Sequence, residues 1–132
     1  MRKLVLFHVI VLLFLVLAAC ATGSTATSAP QGSEKPVNIK VESNPSPPVM
    51  GDLELVLNIT DASGNPIEGA TVDASATHTD MTGMDMSGAA TEQGGGRYAI
   101  NANFSMSGNW KLKVYVRKDG LDYSEEIDLP VQ

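Results

Sequence analysis

The chain has 132 residues, a length that fits one small domain with short appendages. Fifteen acidic residues outnumber nine lysines and arginines and give a formal net charge of −6, which makes nucleic acid a poor partner, because affinity for it depends on Lys and Arg neutralising phosphates. A single cysteine, Cys20, excludes an intrachain disulfide.

Residues 1–19 have the pattern of a secretory signal. A basic start, "MRK", precedes a long apolar run that small residues close. The run is short for a membrane-spanning helix, which needs about 20 residues. We therefore expect this segment to direct export of the domain that follows.

The residues "LAAC", which end at Cys20, resemble the lipobox of bacterial lipoproteins. In that family the cysteine is acylated and becomes the mature N-terminus. The resemblance implies lipidation at Cys20 and an extracytoplasmic domain that is anchored to a membrane in the cell envelope. A plain signal peptide and an uncleaved anchor helix are the alternatives, and both also export the domain.

Residues 20–36 are interpreted as the acylated cysteine and a flexible tether. The segment is rich in Ser, Thr, Gly and Pro and lacks large apolar side chains. It cannot bury enough surface to offset the entropy that ordering would cost. We expect the folded domain to span residues 37–132.

From residue 37 onward, apolar and polar residues alternate with the period of half-buried strands. Strands are predicted at 37–43, 52–60, 70–78, 97–104, 109–117 and 121–129. Turn signals separate them and no helical stripe is present, so the sequence predicts an all-β, antiparallel, two-sheet sandwich of about seven strands. Glu125 interrupts the inward set of the last strand, which indicates an edge or a bulge.

The stretch from 78 to 88, "HTDMTGMDMSG", holds methionines where Gly, Asn, Asp, Ser and Pro are usual. When the strands are traced antiparallel from the "DASGNP" turn, this loop, residue 50 and the turn at 105–108 reach the same end of the sandwich. The tracing requires residues 89–93 to run back across the sandwich. The residues predicted to share this end are Met50, His78, Met81, Met84, Met86 and Met106.

These side chains suit copper. Thioether sulfur is a soft, neutral ligand that favours Cu(I), and imidazole also binds copper. An exported chain cannot rely on thiolates that stay reduced, so methionine and histidine are the appropriate ligands. We therefore expect the end to bind copper, preferably Cu(I), for delivery or sequestration.

Other roles for the same residues are open. The methionines could fill gaps at the open end of the sandwich, bind a partner, or serve as sacrificial oxidation sites. His78 could be a strand-end residue whose ring is bonded to a loop carbonyl.

Four segments, in this order and spacing, resemble the YtkA-like domain: "DASGNPIEGATV" at 61–72, the loop at 81–86, "GRY" at 96–98 and "MSGNWKLKV" at 106–114. That family is related to FixH-type proteins, has an immunoglobulin-like fold, and is associated with extracytoplasmic copper handling and oxidase assembly. The resemblance implies that its recurrent methionines correspond to Met81, Met84 and Met106. It also implies a cuproprotein partner such as an oxidase or a copper transporter. The loop lacks the proline that such loops often hold beside methionine.

An enzyme is not expected. The mature chain would keep one histidine, which rules out a His-rich zinc site, and no Gly-x-Ser-x-Gly nucleophile elbow is present. The glycine-rich "EQGGGR" at 92–97 lacks the Lys-Ser/Thr of a phosphate loop. The rival hypothesis is a structural or interaction domain whose methionine-bearing end docks a membrane complex.

Overall fold

The computed structural model describes residues 35–132. The predicted signal, Cys20 and most of the tether at 20–36 lie outside these residues. Within the described part, no helix is long and apolar enough to cross a membrane. Its secondary structure consists of strands, namely β1 (Val37–Asn44), β2 (Gly51–Asp61), β3 (Thr71–His78), β4 (Asp85–Ala89), β5 (Thr91–Gly94), β6 (Arg97–Phe104), β7 (Gly108–Lys118) and β8 (Leu121–Val131).

The strands form two four-stranded sheets. One has the order β1-β2-β6-β5 and the other the order β4-β3-β7-β8, and all neighbouring strands are antiparallel. The predicted all-β, immunoglobulin-like antiparallel sandwich is confirmed, with eight strands instead of about seven. The additional strand arises because the chain after residue 84 divides into β4 and β5, one in each sheet.

The core consists of the inward faces that the alternation predicted. Burial of a large aliphatic or aromatic side chain contributes roughly 1.5–3 kcal/mol, so these faces hold the two sheets together. Val56, the apolar residue on the outer face of β2, is 9% exposed. The buried inward residues include Leu53, Leu55, Leu57, Ile59, Val72, Ala74, Ala76, Tyr98, Ile100, Ala102, Phe104, Trp110, Leu112, Val114 and Val116.

β8 is an edge strand, as the interruption at Glu125 indicated. Its register with β7 is continuous from Val131 to Leu121. The Glu125 carboxylate accepts a hydrogen bond from the Tyr123 hydroxyl (3.1 Å) and pairs with the Lys35 ammonium. Lys35, at the end of the predicted tether, therefore contacts the folded domain.

The chain after the methionine-bearing loop runs back across the sandwich. β4 descends beside β3, and the Ala90 N–H then donates to the Val72 carbonyl (2.8 Å). β5 continues in the same direction in the other sheet, antiparallel to β6. β6 consequently starts at the far end and returns, so the turn at 105–107 lies at the end where β3 finishes.

Candidate metal centre

Loop 79–84, turn 105–107 and Met50 lie at one end of the sandwich, which we call the methionine end. The Thr79 N–H and hydroxyl both donate to the Asn109 carbonyl, at 2.9 and 3.0 Å, and so attach the loop to the start of β7. The Met50 N–H donates to the Gln132 carbonyl (2.7 Å), one residue beyond the pairing of Val131 with Gly108. Segments far apart in the sequence thus meet at this end.

The sulfur of Met84 lies against the turn that carries Met106. The Ser105 hydroxyl donates to Met84 Sδ at 3.9 Å, although the two residues are 21 positions apart in the chain. The Met106 carbonyl accepts a hydrogen bond from Trp110 Nε1 (3.2 Å), which fixes the turn to β7. Both methionines are half-buried and pack against the core. The two sulfur-bearing segments are therefore held side by side.

Met50 and Met81 are the exposed large hydrophobic residues of the described chain, with 59% and 46% of their surface accessible. Both lie at the methionine end, Met81 in loop 79–84 and Met50 just before β2. Their thioethers are consequently accessible to an ion or to a partner.

Met86 is half-buried on the edge strand β4 and packs against the core. It is in β4 opposite Ala76, and its side chain lines a narrow apolar cavity of about 10 Å³ together with Leu55, Ile100 and Phe104. That volume is at the lower limit for one water molecule. Met86 packs against the core as Met84 and Met106 do, and it is the predicted ligand whose side chain lines this cavity.

His78, the last residue of β3, is 6% exposed. Its Nδ1 accepts a hydrogen bond from the Asp80 N–H (3.2 Å), and its Nε2 lies 3.3 Å from the Ser107 carbonyl oxygen. The ring packs edge-to-face on Trp110, with centroids 5.1 Å apart. The arrangement matches the alternative role for this residue, a strand-end histidine bonded to a loop carbonyl.

Thioether sulfur dominates the donor set at this end. Asp80 and Asp85 are exposed there. Within residues 35–132, no group of three or more histidine, aspartate or glutamate side chains is placed so that it could hold a metal ion. The softness of the available donors suits Cu(I) better than Zn²⁺, Ca²⁺ or Mg²⁺.

Sequence reasoning missed the residues that join the two methionine-bearing segments. Ser105 contacts the Met84 sulfur, Ser107 contacts the His78 ring, and Gly108 lies beside that ring. The small residues that surround Met106 in "SMSGNW" are the only sequence signal that could have drawn attention to them, because small residues allow close approach of a turn to a neighbouring loop.

No curated protein matches this chain. Among solved structures, that of FdeC, described as a broadly conserved Escherichia coli adhesin, is 27% identical and has a TM-score of 0.48. The alignment covers 76% of this chain and 32% of that one.

The model of the YtkA-like family matches residues 32–115. The match includes β1 to β6, most of β7 and the whole methionine end. It also contains the four segments from which the resemblance was drawn. The chain therefore belongs to the YtkA-like family.

Proposed function

We propose that this YtkA-like domain binds copper as Cu(I) through methionine sulfur at the methionine end. The observation that carries the proposal is the contact of the Met84 sulfur with the turn that holds Met106. Two methionines from distant parts of the chain thus lie in adjacent segments, and their soft, neutral thioether donors favour Cu(I). Thioethers bind without losing a proton, so affinity should depend only weakly on pH.

The proposed ligands are Met84, Met106 and Met81. Met81 shares a loop with Met84, and Gly83 between them has φ +81°, a conformation that glycine adopts freely and that lets the loop fold back. Met50 is available as a further ligand or as an entry point, because it is exposed at the same end. Met86 and His78 would need to leave their present contacts to reach an ion.

The proposed role is delivery or sequestration of the metal, without catalysis. Neutral ligands can be exchanged one at a time, and exposed sulfurs at the rim allow a partner to share the ion before it leaves. We propose a cuproprotein such as an oxidase or a copper transporter as the partner. Lipidation of Cys20 would hold the domain at a membrane surface in the cell envelope.

The test is an anaerobic Cu(I) titration against a competing chelator. We expect the triple variant Met81→Leu, Met84→Leu and Met106→Leu to lose more than about 100-fold in affinity, beyond the 10–100-fold that loss of an outer partner of a metal site costs. Leucine is close to methionine in volume, so the fold should persist.

Met86→Leu is the matched control, because it makes the same chemical change at a half-buried methionine that lies in β4 and outside the loop and turn of the proposed site. It should keep the wild-type affinity. Unchanged affinity in the triple variant would contradict the proposal and leave the interaction-domain hypothesis, in which exposed Met50 and Met81 dock a membrane complex. An equal loss in Met86→Leu would contradict the choice of ligands.

A further inference from the structure

We infer that His78 is a positioning residue that joins the two methionine-bearing segments, and that it does not bind the copper. The structural part of the inference follows from hydrogen bonds alone, and its copper part rests on the proposed function. The same histidine was expected to be a ligand on sequence grounds, so the two roles give opposite results in a direct test.

The hydrogen bonds determine which ring nitrogen carries the proton. A backbone N–H can only donate, so the Asp80 N–H requires a lone pair on Nδ1. The neutral ring then carries its proton on Nε2. That N–H points to the Ser107 carbonyl, which can only accept. Both nitrogens are thus engaged, and neither offers a free lone pair to a metal ion.

The surroundings of the ring leave it little freedom to turn. Trp110 packs edge-to-face against it, and 6% of the residue is exposed. On the Nε2 side lies Gly108, with φ +130°, where an added Cβ would be 2.5 Å from Nε2. The glycine therefore allows the turn to approach the ring closely, and the ring cannot swing outward without displacing this backbone.

The His78 ring makes one connection to each methionine-bearing segment. Nδ1 is bonded to Asp80 of loop 79–84, and Nε2 is bonded to Ser107 of turn 105–107. Its own N–H donates to the Met84 carbonyl (3.0 Å), which further fixes the loop. The two ring bonds thus make the imidazole a bridge between the loop that carries Met84 and the turn that carries Met106, and the bridge helps to fix the geometry available to an ion between them.

The first test measures imidazole ¹⁵N chemical shifts of the full chain before and after Cu(I). We expect the tautomer with its proton on Nε2, with the same pattern once copper is bound. The signal of His78 is distinguished from that of His8 by its loss in His78→Gln. A proton on Nδ1 in the metal-free protein would overturn the inference. A copper-induced shift of one nitrogen to a metal-bound value would also overturn it.

Two variants of His78 each remove one of the two ring hydrogen bonds and keep the other. The amide of asparagine falls near the position of Nδ1, and that of glutamine near the position of Nε2. We expect His78→Gln to release Asp80, whose amide should exchange hydrogen about fivefold faster, as loss of one hydrogen bond predicts. His78→Asn should leave Asp80 protected and instead loosen turn 105–107, seen as a lower methyl order parameter for Met106.

The copper readout distinguishes failure of the inference from failure of the proposed function. If wild-type protein binds Cu(I), each variant should weaken binding about tenfold, the scale of a lost outer partner. If wild-type protein does not bind Cu(I), the proposed function fails, while the ring protonation and the exchange rates still decide whether His78 joins the segments. Unchanged exchange and unchanged Met106 order in both variants would overturn the positioning role.

Discussion

At the scale of single residues, Gly108 determines how closely turn 105–107 approaches β3. Its φ of +130° is unfavourable for any residue with a side chain, and its missing Cβ leaves room for the His78 ring. Gly120, in the hairpin between β7 and β8, has φ +84° but nothing within 4 Å of an added Cβ. Comparison of substitutions at the two glycines therefore separates the cost of the backbone conformation from the cost of a clash with the His78 ring.

Gly120→Ala should lower the free energy of unfolding by about 1–2 kcal/mol, the cost of a left-handed conformation. Gly108→Ala should lower it by roughly 1–3 kcal/mol more, because the methyl group displaces His78 as an overpacked core side chain would be displaced. Urea denaturation of both variants measures the difference. Equal losses would show that the contact with His78 imposes no constraint.

The residue scale is also where sequence reasoning reached its limit. The location of Met84 and Met106 followed from chain direction, because antiparallel strands joined by short turns fix which loops share an end. The bonding of His78 and the inward orientation of Met86 depend on side-chain contacts across strands that no local pattern encodes. Ser105 and Ser107 act through single polar atoms, and serine in a turn carries no distinctive signal.

At the scale of elements, the turn after β2 is organised by the carboxylate of Asp61. Its Oδ1 accepts hydrogen bonds from the Ser63 N–H (2.8 Å) and the Asn65 N–H (2.9 Å), and its Oδ2 accepts one from Asn65 Nδ2 (3.1 Å). The hydrogen bond from the Asn65 side chain has the largest effect and that from the Asn65 N–H the next largest. Together they hold the pKa of Asp61 below the ordinary value of 3.8. The charged form is therefore favoured in the folded state.

This lowered pKa predicts how the turn responds to acid. The stabilising contribution is present above pH 3.8 and is lost as the pH falls through the lower, folded-state pKa, because the unfolded chain binds the proton first. In Asp61→Asn this loss should be absent, since an amide oxygen still accepts bonds but does not titrate. Asn65→Ala should move the pKa of Asp61 back towards 3.8.

Urea unfolding at a series of acidic pH values, with ¹³C titration of the carboxyl groups, measures both effects. If the free energy of unfolding falls with decreasing pH to the same extent in wild type and in Asp61→Asn, this description of the turn is contradicted.

The strands themselves were largely predictable. In β2, β3, β6 and β7 the alternation of apolar and polar residues matches the pleat, so the inward faces could be assigned before any coordinates. The division into β4 and β5 could not be assigned in this way. Residues 85–94 are mostly small or polar, and the chain changes sheet after Ala90, whose N–H is bonded to the Val72 carbonyl in β3.

At the scale of the whole molecule, the sandwich is a scaffold that carries the proposed copper-binding loops at one end. The outer face of the β7–β8 pair is occupied by cross-strand ion pairs such as Lys111 with Asp128 (2.8 Å) and Lys113 with Glu126 (3.8 Å). Exposed pairs of this kind contribute little to stability. They do compensate Lys111 and Lys113, and this charged face contrasts with the thioether donors of the methionine end.

In the proposed site, sulfur atoms from two loops surround one copper ion. The decisive measurement is copper K-edge X-ray absorption of the Cu(I)-loaded protein, compared with a variant in which Met84 and Met106 are both leucine. We predict that the nearest neighbours of copper are sulfur atoms without an imidazole nitrogen, and that the variant loses that sulfur signal. Copper surrounded by nitrogen or oxygen alone, or a sulfur signal that persists in the variant, would contradict methionine ligation by these two loops.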